Sequence, residues 1–127
     1  MVIISISLND TILEEMERMQ KELGYSGRSE IIRSGLRMLV SAEKEKSSFK
    51  GTIEGIIIVV NEEKYNEEIS KIRHNFSGII KTQIHNHLQS HKCLQIFIMK
   101  GNAKKIVDML NKIEISKKAN YIKFIVT

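Results

Sequence analysis

Gly78–Lys100, GIIKTQIHNHLQSHKCLQIFIMK, is the stretch whose reading decides the fold. Gly78–His87 is predicted to be a strand and Lys92–Lys100 its antiparallel neighbour, with Leu88–His91 as the turn between them. Upstream of this hairpin, Glu62–His74 places Tyr65, Ile69 and Ile72 on one face at helical spacing. Before that helix, Thr52–Asn61 reads as a strand built around the aliphatic run Ile56–Val60. Downstream, Lys100-Gly101-Asn102 stops the second hairpin strand and caps a helix to about Ile113, with Ile106, Met109 and Leu110 inward. Tyr121–Thr127 is a last strand. The order β-α-β-β-α-β is the split βαβ, or ferredoxin-like, arrangement, predicted here for residues 51–127.

The first half reads differently. Val2, Ile4, Ile6 and Leu8 alternate with Ile3, Ser5 and Ser7, the period of a short strand with one buried face. Asn9-Asp10-Thr11 offers N-cap side chains to a helix carrying Ile12, Met16, Met19 and Leu23, which Gly24 closes. After Ser26-Gly27 a second helix is predicted from Arg28 to Glu45, burying Ile31, Ile32, Leu36, Leu39 and Val40. One strand and two helices make too small a core to stand alone. A second copy is the physical remedy, its strand pairing antiparallel with the first, so this half is expected to be an obligate dimer. The polar run Glu43–Lys50 (EKEKSSFK) reads as a linker. The expected organisation is therefore α+β, with a β-α-α domain at 1–45, a linker at 46–50 and the second domain at 51–127.

The 127 residues carry a net charge of +5. Residues 1–50 balance eight Lys/Arg against eight Asp/Glu, so the whole excess lies in the second half. A nucleic-acid reading of the first half thus rests on geometry and not on bulk charge. The single cysteine, Cys93, excludes an internal disulfide framework and suits a reducing compartment. No aliphatic run approaches the roughly 20 apolar residues of a membrane span, and no secretory leader pattern opens the chain. A cytoplasmic protein that does not enter the membrane is expected.

Two groups of residues carry chemistry. His85 and His87 lie two apart on a strand, so both project from one face. Cys93 opens the neighbouring strand, and adjacent strands lie roughly 5 Å apart, so its sulfur can reach a metal held by the pair. His74 ends the preceding helix, where it can be presented to a partner. Imidazole and thiolate suit zinc, copper or nickel and exclude magnesium and calcium. The alternative is a solvated strand face beside a small core cysteine, and spacing alone leaves both open. In the second group, paired strands from two copies form a ribbon that fits a DNA major groove. There Ser5 and Ser7 can hydrogen-bond base edges and Ile3 can touch a thymine methyl, while Arg28 and Ser29 at the second helix's start can hold a phosphate. The alternative is an exposed strand covered by small polar residues.

Ile4-Ser5-Ile6-Ser7-Leu8-Asn9-Asp10 and Leu23-Gly24-Tyr25-Ser26-Gly27-Arg28-Ser29-Glu30-Ile31-Ile32-Arg33 resemble the ribbon-helix-helix (CopG-like) DNA-binding domain. His85-x-His87-Leu88, Cys93-Leu94 and Lys100-Gly101 resemble the regulatory domain of nickel-responsive transcriptional repressors, and His74, eleven residues before His85, falls where that family places its fourth ligand. The resemblance implies a homotetramer, a dimer of dimers with a central core of ACT-type domains. It implies one Ni(II) per protomer, held in a square plane by His85, His87 and Cys93 of one protomer and His74 of another. It also implies double-stranded DNA as partner, a palindromic operator near nickel-uptake genes, with the metal favouring the DNA-binding arrangement. The chain departs from the family at Ile3, where a basic residue is usual, and at Ser34, usually acidic beside Glu30 in an interface cation site. Arg73 and Gln95 stand where the family usually has glutamine and glutamate.

A nickel-responsive regulator is therefore the first expectation and an enzyme is not expected. A regulator of the same build answering to zinc or copper is the alternative. A small zinc metalloenzyme ranks behind both, since no carboxylate lies beside the ligands in sequence to act as general base.

Overall fold

The computed structural model describes residues 1–127, which divide into two compact units, Met1–Ser47 and Ser48–Thr127. In the first unit, helix α1 spans Asp10–Leu23 and α2 spans Arg28–Ser48. The Asn9 side chain accepts from the Ile12 N–H at 2.9 Å, and Gly24 ends α1 in the left-handed conformation at φ 74°. Arg18 sits between Glu15 and Glu22 at 2.8 and 2.7 Å, an exposed i±3/4 arrangement.

A single chain differs from the expectations for this unit in three ways. Residues 1–9 form no strand, because a strand requires a neighbour to complete its ladder and one chain supplies none. No residue of α2 is buried: Ile31 and Ile32 are half-buried, whereas Leu36, Leu39 and Val40 are exposed. Only Met16 is buried in this unit. The polar run expected as a linker is largely helical, since α2 continues through Ser48 and the chain turns at Gly51, φ 69°. Lys and Glu are good helix formers, so polarity there marks a solvated helix and not a break.

The second unit is built on four antiparallel strands: β1 (Thr52–Glu62), β2 (Ile80–Leu88), β3 (Lys92–Asn102) and β4 (Ala119–Val126). Helix α3 (Asn66–Asn75) joins β1 to β2, and α4 (Ala103–Ser116) joins β3 to β4. The sheet order is β2-β3-β1-β4, so the element order is β-α-β-β-α-β. The helix expected from Glu62 starts later, as a 3-10 turn at Glu63–Tyr65 precedes α3. Gly78 likewise lies in a 3-10 turn, Ser77–Ile79, ahead of β2.

Alternation along the strands gives the sheet two unlike faces. Ile57, Val59, Phe97 and Met99 pack against Ile69 of α3 and Ile106, Met109, Leu110 and Ile113 of α4 to make the core. On the opposite face Ile56, Ile58, Val60, Leu94 and Ile96 are half-buried, and Ile84, Ile98, Tyr121 and Ile125 are exposed. Gly101 permits a close approach, for a Cβ there would lie 2.6 Å from Ile79 Cγ2. No helix is long and apolar enough to cross a membrane.

Candidate metal centre

The β2–β3 hairpin assembles the centre. Its turn reverses the chain through two consecutive left-handed residues, Ser90 at φ 61° and His91 at φ 56°. Neither is glycine, and each costs about 1–2 kcal/mol in that conformation. The register then sets His87 directly opposite Cys93 and His85 opposite Gln95. Alternation sends His85, His87 and Cys93 to the helix-bearing face of the sheet.

The potential ligand atoms of His85, His87 and Cys93 lie within 4.8 Å of one another. His87 Nδ1 is 3.5 Å from Cys93 Sγ, and the two imidazole centroids are 5.4 Å apart. Cys93 is fully buried, whereas both histidines are exposed, so the thiol is fixed by the core and the imidazoles can adjust. Two imidazoles and a thiol at this separation fit a borderline first-row divalent ion; the donors are too soft for calcium or magnesium.

The surroundings are polar and ordered. Glu63 Oε1 lies 3.1 Å from His87 Nδ1, and Oε2 lies 3.6 Å from His91 Nδ1. Asn66 Nδ2 donates to Cys93 Sγ at 3.3 Å. A cleft of about 310 Å³ beside His85 is lined by Asn66, Ser70, Arg73, Gln83 and Gln95 among others. His74 is not part of the cluster; it is exposed in the last turn of α3.

Glu63 was missed by sequence reasoning. It is 24 residues from His87, and only the pairing of β1 with β3, which sets Asn61 opposite Cys93, brings it near. His91, expected as a turn residue, does occupy the turn, yet it faces the same carboxylate.

The residues expected to meet DNA lie in the first unit. Ile3, Ser5 and Ser7 are exposed in the segment without secondary structure. Arg28 Nη2 pairs with Glu17 Oε1 at 2.8 Å while more than half exposed, and Ser29 is exposed in the first turn of α2. The Glu30 carboxylate accepts from both the hydroxyl and the backbone N–H of Ser26, which holds its carboxyl below the usual carboxylate value. Ser34 is half-buried one turn further on.

A two-layer sheet domain with a His/His/Cys cluster, attached to a helical unit, defines a metal-binding domain with an appended module. Comparison with known proteins gives the narrower assignment. Residues 55–127 match the family described as NikR C terminal nickel binding domain. Across 94% of this chain and 87% of its own length, a protein from Methanocaldococcus jannaschii that carries the name nickel-responsive regulator is 32% identical. Similarly named proteins from Halobacterium salinarum and Methanosarcina mazei are 27% and 28% identical over 92% and 98% of this chain. In fold, 60% of the chain is similar to 98% of an uncharacterised protein from Thermotoga maritima, with a TM-score of 0.55 at 16% identity. The chain belongs to the nickel-responsive regulator family, a family of regulators and not of enzymes.

Proposed function

We propose that the protein is a DNA-binding transcriptional repressor of nickel uptake that answers to Ni(II). The observation that carries the reading is the convergence of His85, His87 and Cys93 within 4.8 Å, inside the segment that matches a nickel-binding domain. In this reading those three residues and His74 of another protomer hold one nickel ion per protomer, in a homotetramer built as a dimer of dimers. Donors drawn from two protomers would tie those protomers together when the metal is bound. The exposed apolar residues support assembly: Ile4, Ile6 and Leu8 before α1, Leu36, Leu39 and Val40 on α2, and Ile84, Ile98 and Ile125 on the open sheet face. Contiguous apolar surface of this kind marks contacts with other chains.

The N-terminal segments of two copies, paired as a ribbon, would present Ser5, Ser7 and Ile3 to base edges, with Arg28 and Ser29 on phosphates. Arg28 is free to exchange partners, because an exposed pair such as Arg28–Glu17 contributes little. A gel-shift assay on promoter DNA of nickel-uptake genes tests the reading. A shift that requires nickel, and not zinc or copper, is the expected result. Ser5→Ala or Ser7→Ala should then weaken specific binding by about 1–3 kcal/mol per lost base contact. A shift indifferent to nickel, or none at all, contradicts it.

A further inference from the structure

We infer that a directed chain of side-chain amides ends on the Cys93 sulfur and tunes its bond to a bound metal. The inference rests on the nickel-site reading and deepens it by assigning positioning roles to Asn66, Asn61 and Gln95. Asn66 Nδ2 donates to Cys93 Sγ at 3.3 Å, and Asn66 Oδ1 accepts from Asn61 Nδ2 at 2.7 Å. Asn61 Oδ1 in turn accepts from Gln95 Nε2 at 3.0 Å, and Gln95 Oε1 faces Gln83 Nε2 at 3.4 Å. All four amides therefore point their N–H ends toward the sulfur.

One backbone atom sets that direction. Asn61 Nδ2 also donates to the Glu62 carbonyl at 2.8 Å. A carbonyl oxygen only accepts, so Asn61 cannot flip without setting oxygen against oxygen. With Asn61 fixed, Asn66 must offer its oxygen to Asn61 and keep its N–H for Cys93, while Gln95 must donate inward. Asn61 and Gln95 are 0% and 2% exposed, and every buried polar side-chain atom has a partner. Water does not compete there, and linked amides polarise one another in the same sense.

Position 95 is specific to this arrangement. An ionised glutamate has no N–H to give Asn61, so it would break the chain two links from the sulfur. An amide there completes it. The N–H on sulfur draws electron density from the thiolate, so the sulfur-to-metal charge-transfer band of the loaded protein lies at higher energy than it would without the donor. None of the amides contacts the metal; Asn66 acts through Cys93, and Asn61 and Gln95 act through Asn66.

The test is the near-ultraviolet spectrum of full-length protein loaded with Ni(II), with side-chain NH₂ resonances of the metal-free protein as a second readout. Asn66→Leu, at a half-buried position, and Gln95→Glu should both move the thiolate band to longer wavelength while nickel stays bound. Gln95→Glu should also shift the Asn66 NH₂ resonances of the metal-free protein. If Gln95→Glu fails to fold, Gln83→Ala at the outer end should move the band in the same direction by less. A wild-type band left unmoved by Asn66→Leu overturns the inference while the nickel site stands. A wild-type protein with no thiolate band overturns the site reading and the inference with it.

Discussion

At Cys93 the core and the candidate site meet. Its side chain is fully buried, yet its sulfur lies 3.5 Å from a ring nitrogen of the exposed His87. Serine at this position keeps the shape but offers a protonated, hard oxygen to the metal. Cys93→Ser should therefore abolish the near-ultraviolet thiolate band of the nickel-loaded protein, as read by absorption spectroscopy. His74→Ala should leave the three hairpin donors in place and lose the assembly-linked response before all nickel is lost. Glu30 carries the pH prediction. Its carboxyl is depressed by Ser26, so the tie to the start of α2 is present above the ordinary carboxylate value and is lost as pH falls through the depressed one. A carbon-detected NMR titration of Glu30 should show this lowered midpoint, and Ser26→Ala should move it back up. An unmoved midpoint in Ser26→Ala would remove the contact.

The elements of the second unit are largely legible in the sequence, because each is stabilised by its own chain. The alternation of Ile57, Val59, Phe97 and Met99, and the spacing of Ile106, Met109 and Leu110, follow directly from burial on one side. The same alternation is enough to put His85, His87 and Cys93 on one face of the sheet. Residues 1–9 and the outer face of α2 are misread because their apolar patterns suggest burial that this chain by itself does not supply. Glu63 and the amides around Cys93 escape for another reason: they meet the hairpin through β1–β3 pairing, which spans about thirty residues and leaves no local pattern. Gly101 gives the prediction at this scale. Gly101→Val should clash with Ile79 and destabilise the unit by about 1–3 kcal/mol in chemical denaturation, unlike Gly78→Ala, where a Cβ meets nothing within 4 Å.

For the whole molecule, the proposed reading ties metal occupancy to association: three candidate donors sit in one chain and the fourth is expected from another. Residues 1–50 alone should dimerise at micromolar concentration in sedimentation equilibrium, since Ile4, Ile6, Leu36 and Leu39 otherwise face water. A stable monomer of that fragment would contradict the ribbon. The most direct test of the shared site is native mass spectrometry of the protein purified without an affinity tag, across a nickel titration. Four chains carrying four nickel ions are predicted for the wild type, with His74→Ala holding nickel less tightly. A monomer that binds nickel through its own residues alone, unaffected by His74→Ala, would contradict the shared site.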